Sequence, residues 1–115
     1  MSATTVSLDL VGATAILRIG GDITSASEAT LMEGYAGAVD AGASSVILDF
    51  SGMEYMNSGG IGLLVTLLVR AQRGGARLLA TGLSDHYHQI LTLTRLDEAI
   101  EICPDEATAL AAAAA

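Results

Sequence analysis

The sequence predicts an α/β fold: an N-terminal hairpin followed by alternating helices and strands, giving a mixed, mostly parallel sheet with helices packed on it. Three observations carry this expectation. Val6, Leu8 and Leu10 alternate with Ser7 and Asp9, and after Val11-Gly12 a second alternation runs through Ala13, Ala15, Leu17 and Ile19, the period of two paired, half-buried strands. Ser45-Val46-Ile47-Leu48-Asp49-Phe50 is a short, apolar, β-branched run, the pattern of a central strand buried on both faces. From there on helical and strand signals alternate, and such an order closes through right-handed crossovers into a largely parallel sheet.

Each element follows in order. Gly20-Gly21-Asp22 ends the hairpin. Ser25-Ala26-Ser27-Glu28 has the spacing of a capping box, with Ser25 as N-cap and Glu28 reaching back. The helix it opens runs to about Ala41, buries Ala29, Met32 and Ala36, and stops at Gly42. After the central strand a loop is expected from Ser51 to Asn57, and Ser58-Gly59-Gly60 opens the strongest helix, which extends to about Arg73 and closes at Gly74-Gly75. Ala76 to Ala80 reads as a strand, Ser84 caps a helix over His86 to Leu93, and Ala99 to Ile102 forms an edge strand. Pro104 takes a first helical position ahead of Asp105 and Glu106. The closing alanines have no amphipathic face and are expected to fray.

At 115 residues and 11.7 kDa the chain fits one domain with a core over about 6–110. Hydrophobic residues at 51% against 16% charged exclude a disordered chain. Aromatics at 3% leave almost no stacking platforms for bases or sugars. The five basic residues, all Arg, stand against 13 Asp and Glu for a net charge of −8, so the surface repels phosphate backbones and anionic lipid, and neither direct nucleic-acid binding nor membrane insertion is expected. Cys103 alone cannot form an internal disulfide, which fits a reducing compartment. No basic region or apolar stretch opens the chain as a signal peptide would; a soluble, cytoplasmic protein is expected.

The informative segment is Asp49 to Gly62, where a central strand leads through a loop to a serine at the mouth of a helix. Loops beyond the carboxyl ends of parallel strands are where ligands and partners meet such a fold. Ser58 is placed beside unpaired backbone N–H groups and the positive end of the helix dipole, where a phosphate on its oxygen is well held. Gly59, Gly60 and Gly62 are read as leaving this helix start open to close approach by another chain. Spacing alone fits a plain N-cap at Ser58 or Asn57 and does not carry the functional reading.

Gly20-Gly21-Asp22-Ile23, Val46-Ile47-Leu48-Asp49-Phe50 and Met56-Asn57-Ser58-Gly59-Gly60-Ile61-Gly62-Leu63-Leu64 resemble the successive hallmarks of STAS domains, and among these the sequence is most similar to bacterial anti-sigma factor antagonists. The resemblance runs from about Val6 to Leu110. The family's helix-opening motif is Asp-Ser-Ser-Gly-Leu/Ile-Gly, with the first serine phosphorylated; Ser58 matches that serine, whereas Asn57 stands for the aspartate and Gly59 for the second serine. The resemblance implies partner switching. The unphosphorylated protein binds an anti-sigma factor that is also a serine kinase, releasing a sigma factor; phosphorylation of Ser58 ends the binding and a serine phosphatase restores it. It also implies that the Gly21-Asp22-Ile23-Thr24 turn, through Asp22 and Thr24, shares the docking surface with Asn57, Ser58, Gly59 and Gly60.

On the long helix Ile61, Leu64, Val65 and Leu68 are expected to face the sheet, leaving Leu63 and Leu67 on the opposite side as a second apolar stripe at a partner or homodimer interface. His86 and His88, two apart, point in different directions and gather no metal site. Gly59-Gly60-Ile61-Gly62 lacks both the Lys-Ser/Thr of a P-loop and dinucleotide spacing, so no cofactor is expected. The acidic residues show no acid–base pairing, so an enzyme is not expected. The rivals are a constitutive, unphosphorylated STAS interaction subunit, as in signalling scaffolds or lipid-transport complexes, and a small nucleotide-binding or hydrolytic enzyme using the Ser58 loop.

Overall fold

In the computed structural model, which describes residues 2–115, the hairpin pairs β1 (Thr5–Val11) with β2 (Thr14–Ile23) antiparallel, closing at Val11 and Thr14. Gly12 supplies the positive φ of +60° that opens the two-residue turn. From β2 the chain passes through a 3-10 turn (Ser25–Ser27) into α1 (Glu28–Asp40), β3 (Ser45–Met56), α2 (Ser58–Gly74), β4 (Arg77–Thr81), α3 (Asp85–Leu93), a second 3-10 turn (Leu96–Glu98), β5 (Glu101–Ile102) and α4 (Glu106–Ala114). The strand order is β1-β2-β3-β4-β5, parallel from β2 onward. The α/β architecture, with its N-terminal hairpin and mixed sheet, is the one the sequence predicts.

Because β2 to β5 are laid down in one direction and parallel crossovers are right-handed as a rule, α1, α2 and α3 fall on the same face, where their buried residues share one core. There Leu17, Ile19, Leu31, Leu48, Leu64, Leu67 and Leu91 make the larger core, each such side chain contributing about 1.5–3 kcal/mol. The opposite face carries Ile16, Ile47, Leu79 and Cys103 and is covered by α4 through Ala109, Leu110, Ala112 and Ala113. The alanine run forms α4 as far as Ala114, and its small side chains let the helix lie close on the sheet. Arg77 donates to the carbonyls of Ala112 at 2.8 Å and Ala115 at 3.4 Å, satisfying carbonyls that a helix end leaves free. Arg18 fastens the other end, pairing with Glu106 at 2.6 Å, Asp49 at 3.0 Å and Asp9 at 2.7 Å.

Several local expectations are corrected. The capping box opens the 3-10 turn ahead of α1 and is formed by Thr24 and Ser27 rather than Ser25 and Glu28; α1 itself begins at Glu28 without a side-chain cap. The buried residues of α1 are Leu31, Met32, Tyr35 and Ala38, with Ala29 and Ala36 exposed, because the larger Leu31 and Tyr35 side chains take the core-facing positions. Pro104 precedes α4; Asp105 is its N-cap, accepting from the Thr108 N–H at 2.7 Å. Residues 51–56 continue β3 instead of forming a loop, since the ladder to β2 carries on past Gly20 and Gly52 with two register shifts.

Candidate functional site

β2 and β3 are parallel neighbours, so the turn after one and the helix mouth after the other meet at the same end of the sheet. Asn57 caps α2, its Oδ1 accepting from the Gly60 N–H at 3.1 Å, and its own N–H donates to the Ile23 carbonyl at 3.2 Å. Ser58 is the first residue of α2 and is exposed. Its hydroxyl thus stands beside the first-turn N–H groups that a helix cannot pair internally, at the end of the dipole that favours an anion. Of the two caps the spacing allowed, Asn57 is the one used.

Asp22 and Thr24 flank Ile23 at the close of β2. The Asp22 carboxylate accepts from the Ser2 N–H at 3.2 Å, and its carbonyl accepts from the Thr4 hydroxyl at 2.7 Å. The Thr24 hydroxyl accepts from the Ala26 N–H at 3.2 Å while its N–H donates to Ser27 Oγ at 3.0 Å. Both residues line a shallow depression of about 360 Å³ with Thr4, Ala26 and Thr30.

Gly59 and Gly60 do not leave this end open, as the sequence suggested; they let it close on itself. A Cβ at Gly59 would lie 2.8 Å from the Ser25 nitrogen, and one at Gly60 would lie 2.5 Å from the Ile23 carbonyl. The β2–α1 turn and the start of α2 are therefore packed backbone to backbone. Only Gly62 of this cluster faces open space.

The assignment of faces on α2 is also corrected. Leu63 and Leu67 are 6% and 0% exposed and belong to the core with Gly60, Leu64 and Ala71. They form no surface stripe. The exposed apolar residues are Val65 and Val69, at 43% and 38%. With Ser58 and Gly62 they follow the i, i+4, i+7, i+11 spacing of one helix face, so an apolar strip does lead away from Ser58, made of other residues.

The sequence also missed Tyr87. Its hydroxyl accepts from the Met56 N–H at 3.0 Å, tying α3 to the residue before the cap; an aromatic on a short helix gave no signal of this. On the other face of the sheet, burial would push Asp49 up, but hydrogen bonds from Ser51 and the Arg18 guanidinium outweigh it and hold the carboxyl below its ordinary value. Burial, with Glu101 and Asp105, pushes the Cys103 thiol up. Among the described residues no three His, Cys, Asp or Glu side chains group as metal ligands, and no helix is long and apolar enough to cross a membrane.

The fold and site define a small α/β domain that presents a serine-opened helix and an adjoining strand–helix turn at one end of its sheet. A family model described as "Mlab, STAS domain" matches residues 6–104, and the chain belongs to the STAS domain family. An anti-sigma factor antagonist from Mycobacterium paratuberculosis has a similar structure, with a TM-score of 0.84 at 18% identity over 100% of both chains. A Thermotoga maritima protein described as a candidate anti-sigma factor antagonist superposes with a TM-score of 0.83 at 17% identity, over 96% of this chain and 95% of that one. The Bacillus cell fate determinant SpoIIAA in its phosphorylated form gives 0.66 at 17% identity, over 88% and 93%.

Proposed function

We infer that this protein is an anti-sigma factor antagonist: unphosphorylated, it binds an anti-sigma factor that is also a serine kinase, and phosphorylation of Ser58 ends that binding until a serine phosphatase reverses it. The observation that carries this reading is the exposed Ser58 at the first position of α2, beside the β2–α1 turn. Family membership and the likeness to antagonist structures support it. No catalytic group is required of this chain, because it is the substrate. A phosphoryl group adds about −1.5 to −2 charges to a chain already at −8, and at a packed interface a dianion carries a desolvation cost and repels nearby carboxylates.

The test is mass spectrometry of the protein from its own host, followed by binding of Ser58 variants to the kinase partner. A phosphoryl group mapped to Ser58, retained binding by Ser58→Ala and weakened binding by Ser58→Asp are the expected results. A second reading, a constitutive interaction subunit, is favoured by the neutral Asn57 cap, which leaves no carboxylate at the residue before the serine. It predicts Ser58 unmodified under every growth condition and Ser58→Asp binding normally.

A further inference from the structure

We propose that the outer edge of β1 is a self-association surface, on which a second copy of this chain docks antiparallel to continue the sheet across a two-fold axis. This rests on the edge alone and is independent of the switch at Ser58. β1 is the long free edge of the sheet, seven residues in unbroken register with β2, while the opposite edge is the two-residue β5. An exposed strand edge is a template for pairing, which proteins ordinarily block with Lys, Pro, a bulge or a covering segment. Thr5-Val6-Ser7-Leu8-Asp9-Leu10-Val11 has neither Pro nor Lys, its ladder has no bulge, and its residues are mostly exposed. Leu8 and Leu10 are 37% and 53% exposed.

The hairpin fixes which backbone groups are free. In a two-residue hairpin the closing pair, here Val11 and Thr14, is hydrogen-bonded, and bonded pairs then alternate along the ladder. Thr5, Ser7, Asp9 and Val11 therefore spend their backbone groups on β2, and the N–H and C=O groups of Val6, Leu8 and Leu10 point outward. A two-fold axis through Leu8 sets Leu8 against Leu8 of the second copy and Val6 against its Leu10, each pair exchanging two hydrogen bonds. Val6, Leu8 and Leu10 sit opposite Ile19, Leu17 and Ala15, residues of the larger core, so the same pairing extends that core's apolar face.

A second copy is the occupant this edge fits, because the strand paired with itself in this register is self-complementary. The one ionised side chain on β1, Asp9, comes opposite Ser7 of the second copy rather than another carboxylate, and it is already paired with Arg18 at 2.7 Å. No like charges oppose each other in the strand register. The general repulsion between two chains of net charge −8 remains, and salt screens it.

Sedimentation equilibrium of the full chain at two salt concentrations, with amide hydrogen exchange at two protein concentrations, tests the proposal. The expected result is a dimer that tightens with salt, with exchange at Val6, Leu8 and Leu10 slowing as concentration rises. Leu8→Pro removes an outward N–H and no intrachain one, so it is expected to raise the dimer Kd at least tenfold while far-UV circular dichroism stays unchanged. Leu10→Lys keeps the backbone donor and is expected to weaken the dimer similarly should the proline variant fold poorly. A chain that stays monomeric at millimolar concentration, a dimer indifferent to both substitutions, or concentration-dependent protection confined to α2 around Val65 each overturns it.

Discussion

A Cβ on Gly59 would lie 2.8 Å from the backbone nitrogen of Ser25, so the mouth of α2 and the turn before α1 occupy the space a side chain would need. The neighbour is backbone and cannot swing aside. Gly59→Ala is expected to cost about 1–3 kcal/mol by overpacking, read as a lower midpoint in urea. Gly62, three residues on, faces open space, and Gly62→Ala is expected to stabilise the same helix by about 0.5–1 kcal/mol. Equal effects at the two positions would contradict the packing described.

Leu63 and Val65 are two residues apart and on different sides of α2. Leu63→Glu is expected to unfold the domain, because it places a carboxylate among core side chains without a partner. Val65→Glu is expected to leave the melting temperature within a few degrees of the parent and to weaken partner binding. Thermal denaturation alongside a binding titration separates the two.

That contrast shows where the sequence was readable. The hairpin, the central strand and the stop at Gly75 were legible because each rests on a local signal: alternation, a β-branched run, a left-handed glycine at φ +73°. The phase of α2 was not. From Ile61 to Val69 nearly every residue is apolar, so an i, i+3, i+4, i+7 template fits Ile61-Leu64-Val65-Leu68 as well as Gly60-Leu63-Leu64-Leu67. What decides between them is backbone proximity at Gly60 and contact at Ala71, residues with almost no hydrophobic weight. Ser51 to Met56 read as a loop for a related reason: a ladder is made by backbone, and glycine and polar side chains do not announce it. Ser58 was found from its place between strand and helix, whereas Asn57 as the working cap required the geometry.

Asn57 accepts from the Gly60 N–H, so Asn57→Ala is expected to cost about 1 kcal/mol. Asn57→Asp keeps the acceptor and adds a negative charge at the positive end of the helix. It is expected to gain about 0.3–1 kcal/mol at low ionic strength, an advantage that 1 M NaCl should erase. Chemical denaturation at two salt concentrations measures both.

Stability should fall in acid with a contribution from Asp49. Its carboxyl is held below the ordinary value in the folded chain, so near pH 4 the unfolded state binds more protons and stability rises with pH. The contribution is fully present above the unfolded value of about 3.9 and is lost as pH falls through the lower folded value. Asp105, held low by its hydrogen bonds with Thr108, acts in the same direction. Asp49→Asn is expected to flatten the acid limb of the stability profile below about pH 4, measured by urea denaturation across that range.

Arg77 holds the carbonyls of Ala112 and Ala115 beside the start of β4, and Arg77 is in register with Ser45, where β3 begins. Ser58 lies just past the other end of β3. The last residue and the serine are therefore separated by the full length of the longest strand and sit at opposite poles of the sheet. A dye or biotin attached at Ala115 would stand the molecule on a sensor surface with its serine-bearing pole turned to solution. A probe attached through Ser2, which hydrogen-bonds Asp22, would sit at the serine-bearing pole and is expected to obstruct the docking proposed there.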